Sequence, residues 1–200
     1  MLIHGFVAHS RVNGPGMRAV VYFQGCNLGC DGCWNPATHT FTGLSHEAQE
    51  VAEQVAGAHQ TQFIEGVTFS GGEPMQQVLD LLEVIRLLKR ARPEISIGMY
   101  SGYTERELDS RRFWTRCGIA QEARRRVWAD IKQELDFAVL GRFVAARPSK
   151  FPMRSSANQV LRLFSDRYRE EHFTPLEFEV HIEAQGLVQV TGFPLAGLPV

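Results

Sequence analysis

The stretch Arg18 to Gln24 is β-branched and aromatic and runs through Gly25 into three cysteines, Cys26, Cys30 and Cys33, that fall within eight residues. Such a run reads as a buried strand, so the cysteine loop sits at the C-terminal end of a strand. The segments that follow keep to one rhythm. Ser45 is a candidate cap for a helix with Val51, Ala52 and Val55 on one face and a stop at Gly57. Ile64 to Phe69 reads as a second strand and leads into Ser70-Gly71-Gly72-Glu73-Pro74. From Gln76 to Arg90, Val78, Leu81, Leu82, Ile85 and Leu88 recur at helical spacing, and Pro93 ends the element. Ile95 to Tyr100 makes a third strand, and Thr104 with Glu107 has the capping-box pattern. Alternating strands and helices predict an α/β fold with parallel βα units, whose functional groups gather beyond the strand C-termini.

The rest of the chain is less regular. Arg111 to Gln133 reads as a helix carrying Arg111, Arg112, Arg116, Arg124, Arg125 and Arg126. This is either a solvated face or a docking surface for an acidic partner. Phe137 to Leu140 and Val160 to Phe164 read as two further short strands. Phe178, Val180 and Ile182 alternate with Glu179, His181 and Glu183, and Gly186 separates them from Leu187 to Thr191, as in a β-hairpin. A net charge of −1 offers no overall field for nucleic acid or an anionic membrane. The start lacks a basic leader, and no apolar run approaches the ~18 residues of a membrane span. A cytoplasmic protein is expected, with thiols kept reduced.

Cys26-Asn27-Leu28-Gly29-Cys30-Asp31-Gly32-Cys33 is C-x-x-x-C-x-x-C, a tight loop able to aim three thiolates at one centre. A cubane iron–sulfur cluster normally takes four cysteines, so three leave one iron free for a further ligand. The alternative is a zinc site completed by Cys117 or His39. Cys117 otherwise reads as a buried, idle thiol.

With the second anchor Gly71-Gly72-Glu73-Pro74 at the next strand end, the chain resembles the radical S-adenosylmethionine superfamily. Val12-Asn13-Gly14-Pro15-Gly16-Met17-Arg18 and Cys33-Trp34-Asn35-Pro36 are similar to the activating proteins of glycyl-radical enzymes, above all those of anaerobic ribonucleotide reductase. Tyr100 to Thr104, Asp136 to Phe143 and Arg154 to Gln159 resemble further stretches of that family, so the likeness covers most of residues 10 to 162. Leu140 stands where the family commonly has a second aspartate, the Arg-rich stretch is longer than in the compact activases, and the terminal hairpin is extra. Asp130-Ile131-Lys132 is similar to a cofactor-contacting element of pyruvate formate-lyase activating enzyme, but falls late in a helix, where a surface ion pair is the expected role. Gly25 to Leu28 also resembles the 7-carboxy-7-deazaguanine synthases, whose loop favours Cys-Asp-Thr where this chain has Cys33-Trp34-Asn35.

The resemblance implies a partial (βα) barrel of the radical SAM type over residues 1–165, with a C-terminal extension over 166–200 that carries the hairpin and packs on the core. It implies a 4Fe-4S cluster on Cys26, Cys30 and Cys33, and S-adenosyl-L-methionine held by Gly32, Cys33, Trp34, Gly71, Gly72 and Glu73. Ser101 and Asn158 are weaker candidates for cofactor contacts, with loop-stabilising hydrogen bonds as their other role. Reductive cleavage to a 5′-deoxyadenosyl radical would then install a glycyl radical on a partner enzyme. A flavodoxin- or ferredoxin-type protein would supply the electron. Other outcomes are a radical enzyme acting on another peptide or small molecule, or a non-catalytic iron–sulfur or zinc protein. No protein acid, base or nucleophile is assigned.

Overall fold

The computed structural model describes residues 1–173, 178–182, 186 and 188–193. Six strands form one sheet in sequence order: β1 (Ile3–Ser10), β2 (Arg18–Phe23), β3 (Gly66–Gly71), β4 (Ser96–Ser101), β5 (Phe137–Leu140) and β6 (Val160–Leu163). The pairs β2–β3, β3–β4 and β4–β5 are parallel, and the two edge strands are antiparallel to their neighbours. The fold is therefore mixed α/β with a mostly parallel central sheet. β1 is a strand that the sequence pattern does not announce, because Gly5 and the polar His4 and His9 interrupt its apolar residues.

The helices α1 (Ala48–Gln62), α2 (Val78–Ala91), α3 (Glu105–Asp109) and α4 (Gln121–Glu134) connect these strands. Alternate sheet residues, among them Val21, Phe23, Val67, Phe69, Ile97 and Met99, pack with Val51, Val55, Leu81, Ile85, Leu88 and Ile131 into the main core. The other face of the strands carries Arg18, Tyr22, Thr68, Tyr100 and Phe137, following the two-residue period of a strand. There a smaller core gathers Phe137, Val139, Met153, Tyr168, Phe173 and Phe193. A second, two-stranded sheet pairs β7 (Phe178–Ile182) with β8 (Val188–Gly192) antiparallel. Glu183 and Leu187, which the hairpin reading uses, lie outside the described residues.

Three expectations need correction. First, α1 starts after Glu47, whose N–H donates to Glu50 Oε2 at 3.2 Å, and it passes through Gly57 to end at Phe63 in the left-handed region. Ser45 instead makes a β-bridge with Leu2. Second, Arg111 to Ala120 is not helical. Arg111 has φ +62 and Gly118 φ +64, and burial of Phe113 and Thr115, with Arg116 N–H donating to Gln76 O at 2.8 Å, holds the segment against the turn that leads into α2. Third, Cys117 on this connection is exposed, not buried. No helix among the described residues is long and apolar enough to cross a membrane.

Candidate iron–sulfur and cofactor site

Parallel strands deliver their C-terminal loops to one end of a sheet, and the candidate residues gather there. The cysteine loop follows β2, Gly72 and Glu73 follow β3, and Ser101 ends β4. Cys26, Cys30, Cys33, Trp34, Gly71, Gly72, Glu73 and Ser101 all line one cavity of about 1050 Å3, counting its mouth. Gly32 turns the loop between two cysteines at φ +68, a conformation that favours glycine. Asn158 lies off the cavity wall, with its Nδ2 donating to Arg142 O at 2.7 Å and its Oδ1 buried without a partner among the described residues.

The two motifs are stitched together by backbone. Gly72 N–H donates to Phe23 O at 2.8 Å and Glu73 N–H to Gly25 O at 2.9 Å. A Cβ on Gly72 would stand 2.5 Å from the Gly25 oxygen, so only glycine lets the β3 turn lie against the start of the cysteine loop. Gln76 fixes the loop from the other side, accepting from Asn27 N–H at 3.1 Å.

Glu73 is 1% exposed, and its carboxylate accepts from Met75 N–H at 3.0 Å, Ser101 Oγ at 2.8 Å and Gly102 N–H at 2.7 Å. Burial outweighs these bonds and pushes the carboxyl up to about 7. Ser101 thus both braces Glu73 and faces the cavity. Burial likewise pushes the Cys26 thiol up to about 12 and raises that of Cys30. Thiolates in such a site need a cationic centre to stay ionised, which an iron cluster supplies. Among the described residues no three His, Cys, Asp or Glu side chains close on a single metal ion. A cubane asks for less convergence, because each thiolate binds a separate iron. The donor set and its burial fit the cluster. Cys117, one suggested fourth zinc ligand, is not on the cavity wall, whereas His39 is.

Several cavity residues escape sequence reasoning. Tyr22 faces inward from β2, Tyr100 from β4, Thr191 from β8 and Phe193 from just after it. The alternation of β2 could have marked Tyr22, but nothing local marks Thr191, whose partner Asn13 is 178 residues away. Asp130-Ile131-Lys132 sits late in α4, where Arg86 Nη2 meets Asp130 at 2.7 Å and Lys132 Nζ meets Glu105 at 2.8 Å, as the ion-pair reading expects.

Comparison with known proteins agrees with this site. Residues 12–162 match the family model described as 4Fe-4S single cluster domain. The anaerobic ribonucleoside-triphosphate reductase-activating protein of Vibrio cholerae is 29% identical over 171 residues, covering 82% of this chain and 99% of that protein. The pyruvate formate-lyase-activating enzyme of Listeria monocytogenes is 36% identical over 108 residues, covering 52% of this chain and 44% of that protein. QueE from Escherichia coli is a solved structure with 18% identity and a TM-score of 0.34, covering 49% of this chain and 55% of that one. The family match spans both the cysteine loop and the Gly-Gly-Glu-Pro turn, and the chain belongs to the 4Fe-4S single cluster domain family.

Proposed function

We propose that this chain is an activating enzyme that leaves a radical on a backbone glycine of a partner enzyme, an anaerobic ribonucleoside-triphosphate reductase being the partner that the Vibrio relative's name gives. The observation that carries this reading is the convergence of Cys26, Cys30, Cys33 and the Gly71–Glu73 turn on one cavity. The three cysteines would hold three irons of the cluster. Gly32, Trp34, Gly71, Gly72 and Glu73 would hold S-adenosylmethionine, with the buried Glu73 carboxylate receiving its ammonium group. Bound together, cluster and cofactor supply a one-electron reductive cleavage and the hydrogen-atom abstraction that follows.

The chain's own residues bind, orient and exclude water. Met75 N–H, Ser101 and Gly102 N–H keep Glu73 in place, so its position does not depend on the ligand. An arriving ammonium would favour the ionised carboxylate, which burial alone disfavours near neutral pH. Asn158, off the cavity wall, would act from behind it, its Nδ2 bracing the Arg142 carbonyl. Residues 1–165 would act as a partial barrel with 166–200 packed on it, in the cytoplasm, with a flavodoxin- or ferredoxin-type protein as electron donor.

Anaerobic reconstitution tests the reading. The expected product is a brown protein that binds four irons per chain, releases 5′-deoxyadenosine when reduced with S-adenosylmethionine, and yields a glycyl doublet in the partner by electron paramagnetic resonance. A colourless zinc protein without cleavage overturns the enzyme. Cleavage without a doublet in any candidate partner overturns the activase.

A further inference from the structure

The residues of β7 and β8 lie beyond the stretch that the family model matches, yet they build one wall of the cysteine cavity. Among the described residues the ribbon pairs only with itself, but side chains tie it to the β1 edge and to the helix-free face of the main sheet. Towards β1, Arg11 N–H donates to the Glu179 carboxylate at 3.0 Å, and Gln189 Nε2 donates to Phe6 O at 3.2 Å. At the mouth of the sheet, Asn13 Nδ2 donates to Thr191 Oγ1 at 2.7 Å, and the Tyr22 and Thr191 hydroxyls are hydrogen-bonded. Deeper in, the Phe193 ring packs on Tyr100 and Trp34, with centroids 6.0 and 6.1 Å away. Thr191 and Phe193 are buried, whereas Ile182 on the same ribbon is 73% exposed.

A cover that merely shielded the core would need only apolar contact. This one places Val190, Thr191, Gly192 and Phe193 around the space that Cys26 and Glu73 also face, and Trp34, which touches Phe193, directly follows the third cysteine. The lining also selects by charge. No Lys or Arg is among the described residues of the cavity wall, where His39 is the one basic side chain, so no permanent positive charge waits there for a phosphate or a carboxylate.

We propose that β8 is the substrate-side wall of the reaction chamber, with Thr191 and Phe193 as positioning residues that seat an uncharged hydrogen donor, a peptide main chain, and exclude solvent. This rests on the radical-enzyme reading above. In the transfer the donor's C–H bond breaks and a C–H bond forms at the cofactor's C5′ carbon, leaving the unpaired electron on the donor, with no other electron or proton required. Reacting atoms must come within roughly 3 to 3.5 Å for such a transfer, and a chamber left open lets a reactive species be quenched by whatever else enters.

The test uses the full, cluster-loaded chain and three variants: Phe193→Ala, Thr191→Val and the outward-facing Ile182→Ser. Amide hydrogen exchange is measured with S-adenosylmethionine and without reductant. Cofactor binding is expected to protect Val188–Phe193 in the parent and Ile182→Ser, and to protect it less in Phe193→Ala. With dithionite and no partner, unproductive 5′-deoxyadenosine release should rise on the order of tenfold in Phe193→Ala and about threefold in Thr191→Val, because an opened chamber lets the reactive species be quenched. Iron content and Ile182→Ser should stay at parent level. The proposal is overturned if the cofactor leaves β8 exchange unchanged, if both inward variants cleave at the parent rate, or if Ile182→Ser matches Phe193→Ala, which would assign the effect to ribbon folding. A parent that shows β8 protection but no cleavage at all overturns the radical-enzyme reading and, with it, the chamber proposed here, an outcome distinct from cleavage without β8 protection, which overturns the wall alone.

Discussion

Glu73 is fully buried, yet no cation lies within salt-bridge distance among the described residues, so its ionisation is linked to folding. Its carboxyl is raised to about 7 when folded, against about 4.3 for an unperturbed glutamate. Between those values the native chain holds on Glu73 a proton that the unfolded chain has released, so the contribution of this group to stability falls as pH rises through that window. Denaturant midpoints of the metal-free chain should show this slope, and Glu73→Gln should remove it. At Gly72 the constraint is steric. An alanine there meets the Gly25 carbonyl oxygen, and relief of such overpacking typically costs about 1–3 kcal/mol. Gly72→Ala should lower the midpoint by that order and reduce iron retention together, because the same contact holds the cysteine loop. Both residues were legible in the sequence because their motif is contiguous. Thr191 and Phe193 were not, because their roles come from contacts with residues as far away as Asn13 and Trp34.

At the level of elements, local signals succeeded where local energy decides. The Thr104 box forms, with Thr104 N–H donating to Glu107 Oε2 at 2.8 Å and Glu107 N–H to Thr104 Oγ1 at 3.3 Å. The apolar stripe of α2 is buried as its period requires. The Arg-rich stretch misled because helix propensity is a weak prior, and there tertiary burial of Phe113 and Thr115 overrides it. Arg18 shows the opposite case, a residue that binds elements together without any local mark. Wholly buried at the start of β2, it donates to Thr68 Oγ1 at 2.9 Å and Val67 O at 2.9 Å on β3, to Ser96 O at 3.2 Å on β4, and lies 5.0 Å from the Phe137 ring centre on β5. Burial lowers its pKa, opposed by the neighbouring Tyr168 and Glu65. Arg18→Met would strand these acceptors, at a cost on the order of 3 kcal/mol, whereas Thr104→Ala removes only one cap, worth about 1 kcal/mol. Chemical denaturation should rank the two in that order. A smaller loss from Arg18→Met would mean that the guanidinium does not tie the strands.

Across the whole molecule, the two faces of the sheet divide the work. The helix-covered face holds the main apolar core, while the other face runs from the buried Arg18 network at one end to the cysteine cavity at the other. The cavity wall draws on the loops after β2 and β3, the end of β4, and β8, so a ligand bound there joins segments from nearly the full length of the chain. Such a ligand binds the native state and not the unfolded one. At a hundredfold excess over its dissociation constant it adds about 2.7 kcal/mol to stability. In a domain of this size that corresponds to a rise of very roughly 5–10 °C in melting temperature. Thermal melts of the cluster-loaded chain should therefore shift upward with S-adenosylmethionine. Cys26→Ser, which removes a proposed cluster ligand while leaving Glu73 and the glycine turn in place, should lose the shift. A shift retained in Cys26→Ser would mean that the cofactor docks without the cluster, and the three-cysteine loop would no longer account for its binding.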